Sequence, residues 1–128
     1  MFAWIKTSVS KRVLRWWLRT HSTFVSSCKI STKQNGRQRI YRASVVQSCD
    51  NLFDAERIAE SVIQKWLEQN RDSFESQPQL KWRKGHQLTC TTLEFENKTV
   101  IRLLDELRSQ ECQERFVIEE QLVVELDD

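Results

Sequence analysis

From Phe24 to Gln47 apolar and polar residues alternate on either side of Asn35-Gly36. That dipeptide, flanked by β-branched and aromatic residues, is a strong short-range signal for a hairpin closed by a two-residue turn. Such a turn sets the register: Ile30 opposite Tyr41, Cys28 opposite Ala43, Ser26 opposite Val45 and Phe24 opposite Gln47. Side chains alternate faces along a strand, so Phe24, Cys28, Ile30, Tyr41, Ala43 and Val45 gather on one side. The other side carries Val25, Ser27, Lys29 and Ser31 opposite Val46, Ser44, Arg42 and Ile40. Asp50-Asn51 then offers an N-cap, and Ala55, Ile58, Ala59, Val62 and Trp66 recur at helical spacing. A helix over Phe53–Glu68, laid on the apolar face of the hairpin, is expected.

The flanking segments extend this pattern. Met1–Thr20 lacks Pro and Gly and places Phe2, Ile5, Val9, Val13, Trp16 and Trp17 toward one side of a helix. Arg71–Pro78 is polar and reads as a connector. Leu80–Phe95 predicts a second hairpin turning at Gly85, with a bulge near Thr91-Thr92 because Leu93 and Phe95 fall on the opposite parity. Asn97 caps a helix to about Ser109, with Val100, Leu103, Leu104 and Leu107 inward. Arg115–Leu126 alternates as a strand, with Phe116, Ile118, Leu122, Val124 and Leu126 on one face, broken only by Glu120.

The resulting fold class is α+β: an N-terminal helix, then ββα-ββα-β, an antiparallel sheet with helices packed mainly on one face. A single domain over 1–128 is expected, comprising the helix 1–22, a ββα core 23–70, the connector 71–78 and a ββαβ unit 79–128. With 2 Gly and 1 Pro in 128 residues there is little material for long flexible linkers.

Composition adds a charge asymmetry that the net +2 conceals. Residues 1–49 hold 10 of the 20 Lys and Arg and no acid, whereas all 18 acidic residues lie at Asp50 or later. The first part carries +10 and the remainder −8. Such asymmetry points to nucleic-acid or membrane contact, to mutual neutralisation within the fold, or to head-to-tail assembly. Met1–Thr20 has three readings: a basic surface helix, an organellar transit peptide, or a structural helix covering the sheet. No apolar run approaches the ~18 residues of a membrane span. The 4 Cys form no C-x-x-C pair, which argues for reduced thiols and a cytoplasmic location, or an organellar one if residues 1–20 are a transit peptide. Zinc would need these Cys with His21 and His86, without ligand spacing in the sequence, and no metal or cofactor is expected.

Enzyme chemistry finds little footing. Glu94-Phe95-Glu96-Asn97-Lys98 resembles the carboxylate and lysine of metal-dependent nucleases, but the second carboxylate such a site needs is missing, since Pro78 is followed by Gln79. Glu96 and Lys98 read better as a strand end meeting a helix cap. The 2 Gly are isolated, which excludes a glycine-rich phosphate loop. A non-enzymatic binding protein is the favoured reading. Its anion-facing surface would be built from Arg12, Arg15, Arg19, Lys29, Lys33, Arg37, Arg39 and Arg42, with Trp16 or Trp17 meeting a partner, and nucleic acid is the leading ligand. The basic hairpin followed by Phe53-Asp54-Ala55-Glu56 and a helix resembles small sheet-based DNA-binding modules in outline, though these use three strands before the helix. The alternative is a protein–protein adaptor or assembly factor that uses the two charged halves and the last strand as a sheet edge, with a protein partner or a homo-oligomer as its contact.

Overall fold

The computed structural model describes residues 10–121. Within them the order is α1 (Lys11–Leu18), β1 (Thr23–Gln34), β2 (Arg37–Ser48), α2 (Leu52–Gln69), β3 (Gln79–Leu88), α3 (Lys98–Ser109) and β4 (Glu114–Gln121). Short 3-10 turns occupy Arg71–Ser73 and Thr92–Phe95. The four strands form one antiparallel sheet in the order β3-β1-β2-β4. The fold is α+β.

The central hairpin pairs in the expected register, from Thr23 opposite Ser48 to Gln34 opposite Arg37, without a bulge. Asn35 and Gly36 both have positive φ, 52° and 74°, as a turn of this twist requires. The tip is tied down by the connector: the Gly36 N–H donates to the Glu75 carboxylate, and the Glu75 N–H donates to the Lys33 carbonyl at 2.9 Å.

The helices divide between the faces. On the face that carries Cys28, α2 lies over β3, β1 and β2. Ile63 packs there with the buried Cys28, Ile30 and Ala43, flanked by Tyr41, Trp66, Trp82 and Ile118. Asn51 caps α2 by accepting the Asp54 N–H at 2.9 Å. The opposite face carries Lys29 at its centre, yet its lower end is a second core. There Val25 and Val46 meet Leu88, Leu14, Trp17 and Leu18 of α1, and Val100, Leu103, Leu104 and Leu107 of α3. Two of the three helices therefore share the Lys29 face and α2 takes the other. Asn97 caps α3 as expected, accepting the Val100 N–H at 2.9 Å.

Three expectations are corrected. The second hairpin does not form: Gln79–Leu88 is a single strand paired with β1, and Gly85 sits inside it. Val25 faces His86 and Ser27 faces Arg83, so Lys84 and Gly85 together oppose Ser26 in a β-bulge. An ideal Cβ on Gly85 would lie 2.5 Å from both the Ser26 Oγ and the Val25 carbonyl oxygen, so glycine is demanded here by close approach and not by a turn. The bulge also shifts parity, which sends Trp82 into the core under α2 and Leu88 into the core under α3. No bulge lies at Thr91-Thr92; the 3-10 turn follows, burying Leu93 and leaving Phe95 exposed.

The second correction concerns α1. Leu14, Trp17 and Leu18 form its inward stripe, whereas Val13 and Trp16 point outward, Trp16 at 63% exposure. The expected first half of this helix, with Phe2, Ile5 and Val9, lies outside the described residues, as do Leu122, Val124 and Leu126 of the last strand. Finally, Ile58, Val62 and Trp66 are only half-buried, because α2 rests on its Ala55–Ala59–Ile63 stripe.

Candidate anion-binding face

Lys29 and Arg42 are directly opposite on β1 and β2, as the hairpin register requires. The sheet order adds what the hairpin alone does not contain. β3 pairs with the free side of β1 and places Lys81 directly opposite Lys29, with Arg83 opposite Ser27. One row across the sheet therefore reads Lys81, Lys29, Arg42 and then Glu119 of β4, and the neighbouring row begins with Arg83. Directly opposite residues on adjacent antiparallel strands stand about 4.5–5.5 Å apart at Cβ. Lys29, Arg42, Lys81 and Arg83 are all exposed. Ion pairs among the described residues join Arg15 to Glu94, Arg39 to Glu120, His86 to Glu96, Arg108 to Asp105 and Arg115 to Glu106; none involves these four cations.

Two depressions flank the row. One, of about 290 Å³, is lined by Lys29, Arg42, Lys81 and Arg83 with Ser27 and Gln121. The other, of about 270 Å³, runs from Arg42 and Arg83 past Ser27 and Ser44 to Lys84, His86 and Asn97. Asn97 is the N-cap of α3, so the positive end of that helix dipole opens beside the cations. His86 hydrogen-bonds the Glu96 carboxylate through Nε2 at 2.7 Å, leaving Arg42, Arg83 and Lys84 as the charges of this wall without an ion pair among the described residues.

The other residues expected in the site are dispersed. Lys33 is on the Lys29 face, nearer the hairpin tip beside a polar depression shared with Ser76 and Gln77. Arg37 and Arg39 have the opposite parity and belong to the Cys28 face, where Arg39 reaches Glu120 at 3.7 Å. Arg12 and Arg19 are exposed on α1, which packs at the Val25–Val46 end of the sheet, and Arg15 is held by Glu94. Trp17 is buried and stacks on His21 at 4.2 Å, which removes it as a contact surface, whereas Trp16 is open. Lys81 and Arg83 are the residues absent from the expected set: they fall in the segment expected as a separate second hairpin, and only the β1–β3 pairing brings them beside Lys29.

Among the described residues no group of three or more His, Cys, Asp or Glu is placed to hold a metal ion, and no helix is long and apolar enough to cross a membrane. The four cysteines are unpaired thiols. Burial pushes the Cys28 thiol up to about 11. Glu96 is engaged with His86, and Lys98 opens α3 behind its Asn97 cap. No protein-family model, no curated protein and no solved structure matches this chain.

Proposed function

We propose that this protein binds the phosphate backbone of a nucleic acid on its Lys29 face, without catalysing a reaction. The observation that carries the reading is the row Lys81–Lys29–Arg42 with Arg83 beside it, four exposed cations on three adjacent strands. Like charges directly opposite on neighbouring strands destabilise a sheet. Phosphates lying across the row would offset that repulsion and release condensed counterions. Glu119 ends the row on the β4 side, so the polyanion path runs over β1 and β3 and past the α3 N-terminus. Hydroxyls of Ser27 and Ser44 on the same wall are suited to donate to phosphate oxygens.

The test is a titration of the full chain against short labelled duplex across a salt series. Four phosphate contacts give a slope of log K against log salt of about −3.6, and removing two cations with Lys29→Ala/Arg42→Ala reduces it to about −1.8. Lys81→Ala/Arg83→Ala should have the same effect, although the two residues are some 50 positions away in the chain. No binding at low salt, or a slope indifferent to both double variants, refutes the proposal.

A further inference from the structure

Among the described residues β3 and β4 are the two edges of the sheet, and they are built differently. β3 is blunted in the ways that discourage edge pairing: it carries the Lys84–Gly85 bulge and the cations Lys81, Arg83 and Lys84. β4 has no bulge in eight successive pairs with β2 and contains no Lys, Pro or Gly. The Ser48 N–H donates to the carbonyl of Gln113 directly opposite at 2.9 Å. By antiparallel alternation, Arg115, Val117 and Glu119 then turn their backbone groups toward β2, while Glu114, Phe116, Ile118 and Glu120 turn theirs outward. Beside this edge, on the Cys28 face, a groove of about 640 Å³ runs between α2 and β4, lined by Ile58, Val62, Trp66 and the 46%-exposed Phe116 together with polar and charged residues.

We infer that β4 pairs with β4 of a second copy of this chain, antiparallel about a two-fold axis through Val117, making one continuous eight-stranded sheet. Opposite residues in such a pair share a face, so the axis must pass through a residue, and four positions pair five or more of the eight strand residues. An axis at Ile118 sets Phe116 against Glu120 and Val117 against Glu119; one at Phe116 sets Ile118 against Glu114; one at Glu119 sets that residue against itself and Ile118 against Glu120. The axis at Val117 sets Arg115, which also holds Glu106 of its own chain, against Glu119 twice, Phe116 against Ile118 twice, and Val117 against itself. That register is complementary in both charge and apolarity, and it gives every outward backbone group of Glu114, Phe116, Ile118 and Glu120 a partner. It opposes Glu114 to Glu120, but Glu120 is paired with Arg39, and Arg57 and Lys65 line the groove beside Glu114. The two-fold axis is perpendicular to the sheet, so both Lys29 rows lie on the same face. Their β1 strands are separated by five strand spacings, about 24 Å.

The test measures the mass of the full chain by sedimentation equilibrium from 1 to 100 µM, with hydrogen exchange at both ends of the range. A dimer is expected, in which the amides of Glu114, Phe116, Ile118 and Glu120 become protected as concentration rises. Those of Arg115, Val117 and Glu119 should be protected at every concentration. Glu119→Arg, at an exposed position, should weaken association at least tenfold, and Arg115→Glu/Glu119→Arg should restore it. A monomer at 100 µM, a dimer whose outward amides stay unprotected, or a double variant no stronger than Glu119→Arg overturns the pairing.

Discussion

Gly85→Ala adds a single methyl group at the point where β3 crosses Val25 and Ser26. The new Cβ would stand 2.5 Å from the Ser26 Oγ and from the Val25 carbonyl oxygen, and 3.3 Å from the Val25 carbonyl carbon. The Ser26 hydroxyl is buried without a partner and can turn aside, but the Val25 carbonyl is backbone and cannot. Relief therefore requires β3 to move away from β1 by most of an ångström. Overpacking of this kind costs about 1–3 kcal/mol, and about 1 kcal/mol more goes with each ladder bond that is stretched. The stiffer unfolded chain returns about 0.4–1 kcal/mol. The net expectation is a loss of about 2–3 kcal/mol, which lowers the urea midpoint by roughly 1 M or more at a slope of about 2 kcal/mol/M. Gly36→Ala is the comparison, because nothing lies within 4 Å of its Cβ and only its φ of 74° opposes the change. That substitution should cost about 1–2 kcal/mol. If Gly85→Ala changes stability by less than about 0.5 kcal/mol, β3 does not cross β1 through a bulge at this residue. The alignment of Lys81 with Lys29 would then lose its support.

Lys29→Glu places an acid between Lys81 and Arg42, so at low salt it should raise the melting free energy by up to about 1 kcal/mol while abolishing phosphate binding. A destabilised variant in thermal melts at low salt would contradict the unneutralised row. Asn97→Ala removes the acceptor of the Val100 N–H and should cost about 1 kcal/mol in urea titration, with Asp or Ser at the position retaining most of the stability. Leu104→Ala empties a fully buried position between α3 and the sheet and should cost about 2–5 kcal/mol by the same measurement. Burial holds the Cys28 thiol at about 11 against an ordinary 9.0, so the folded state keeps the proton while the unfolded state loses it. That contribution to stability is complete below pH 9 and declines as pH rises toward 11, and Cys28→Ala should flatten this limb of the pH–stability profile.

The elements whose determinants lie within a few residues of one another were legible without the tertiary structure. Asn35-Gly36 and strict alternation are sufficient for the register of β1 with β2, because one-residue slippage would expose the whole Cys28–Ile30–Ala43 set. Asn51 and Asn97 announce their helices because a short side chain reaches an amide three residues on. The same logic placed Lys29 beside Arg42. It failed for Gly85, where the reason for glycine is Val25, some 60 positions earlier, and no local pattern separates a turn from a close approach. It failed in α1 as well, since Trp16 and Trp17 are equally apolar and only the position of α3 and Leu88 decides which turns inward. The basic face divides in the same way. Its hairpin half is encoded by a turn, whereas Lys81 and Arg83 join it because β3 closes onto the outer side of β1. Packing between distant surfaces makes that choice: the bulge lets one strand deliver Trp82 to one core and Leu88 to the other, a gain invisible to periodicity within the strand.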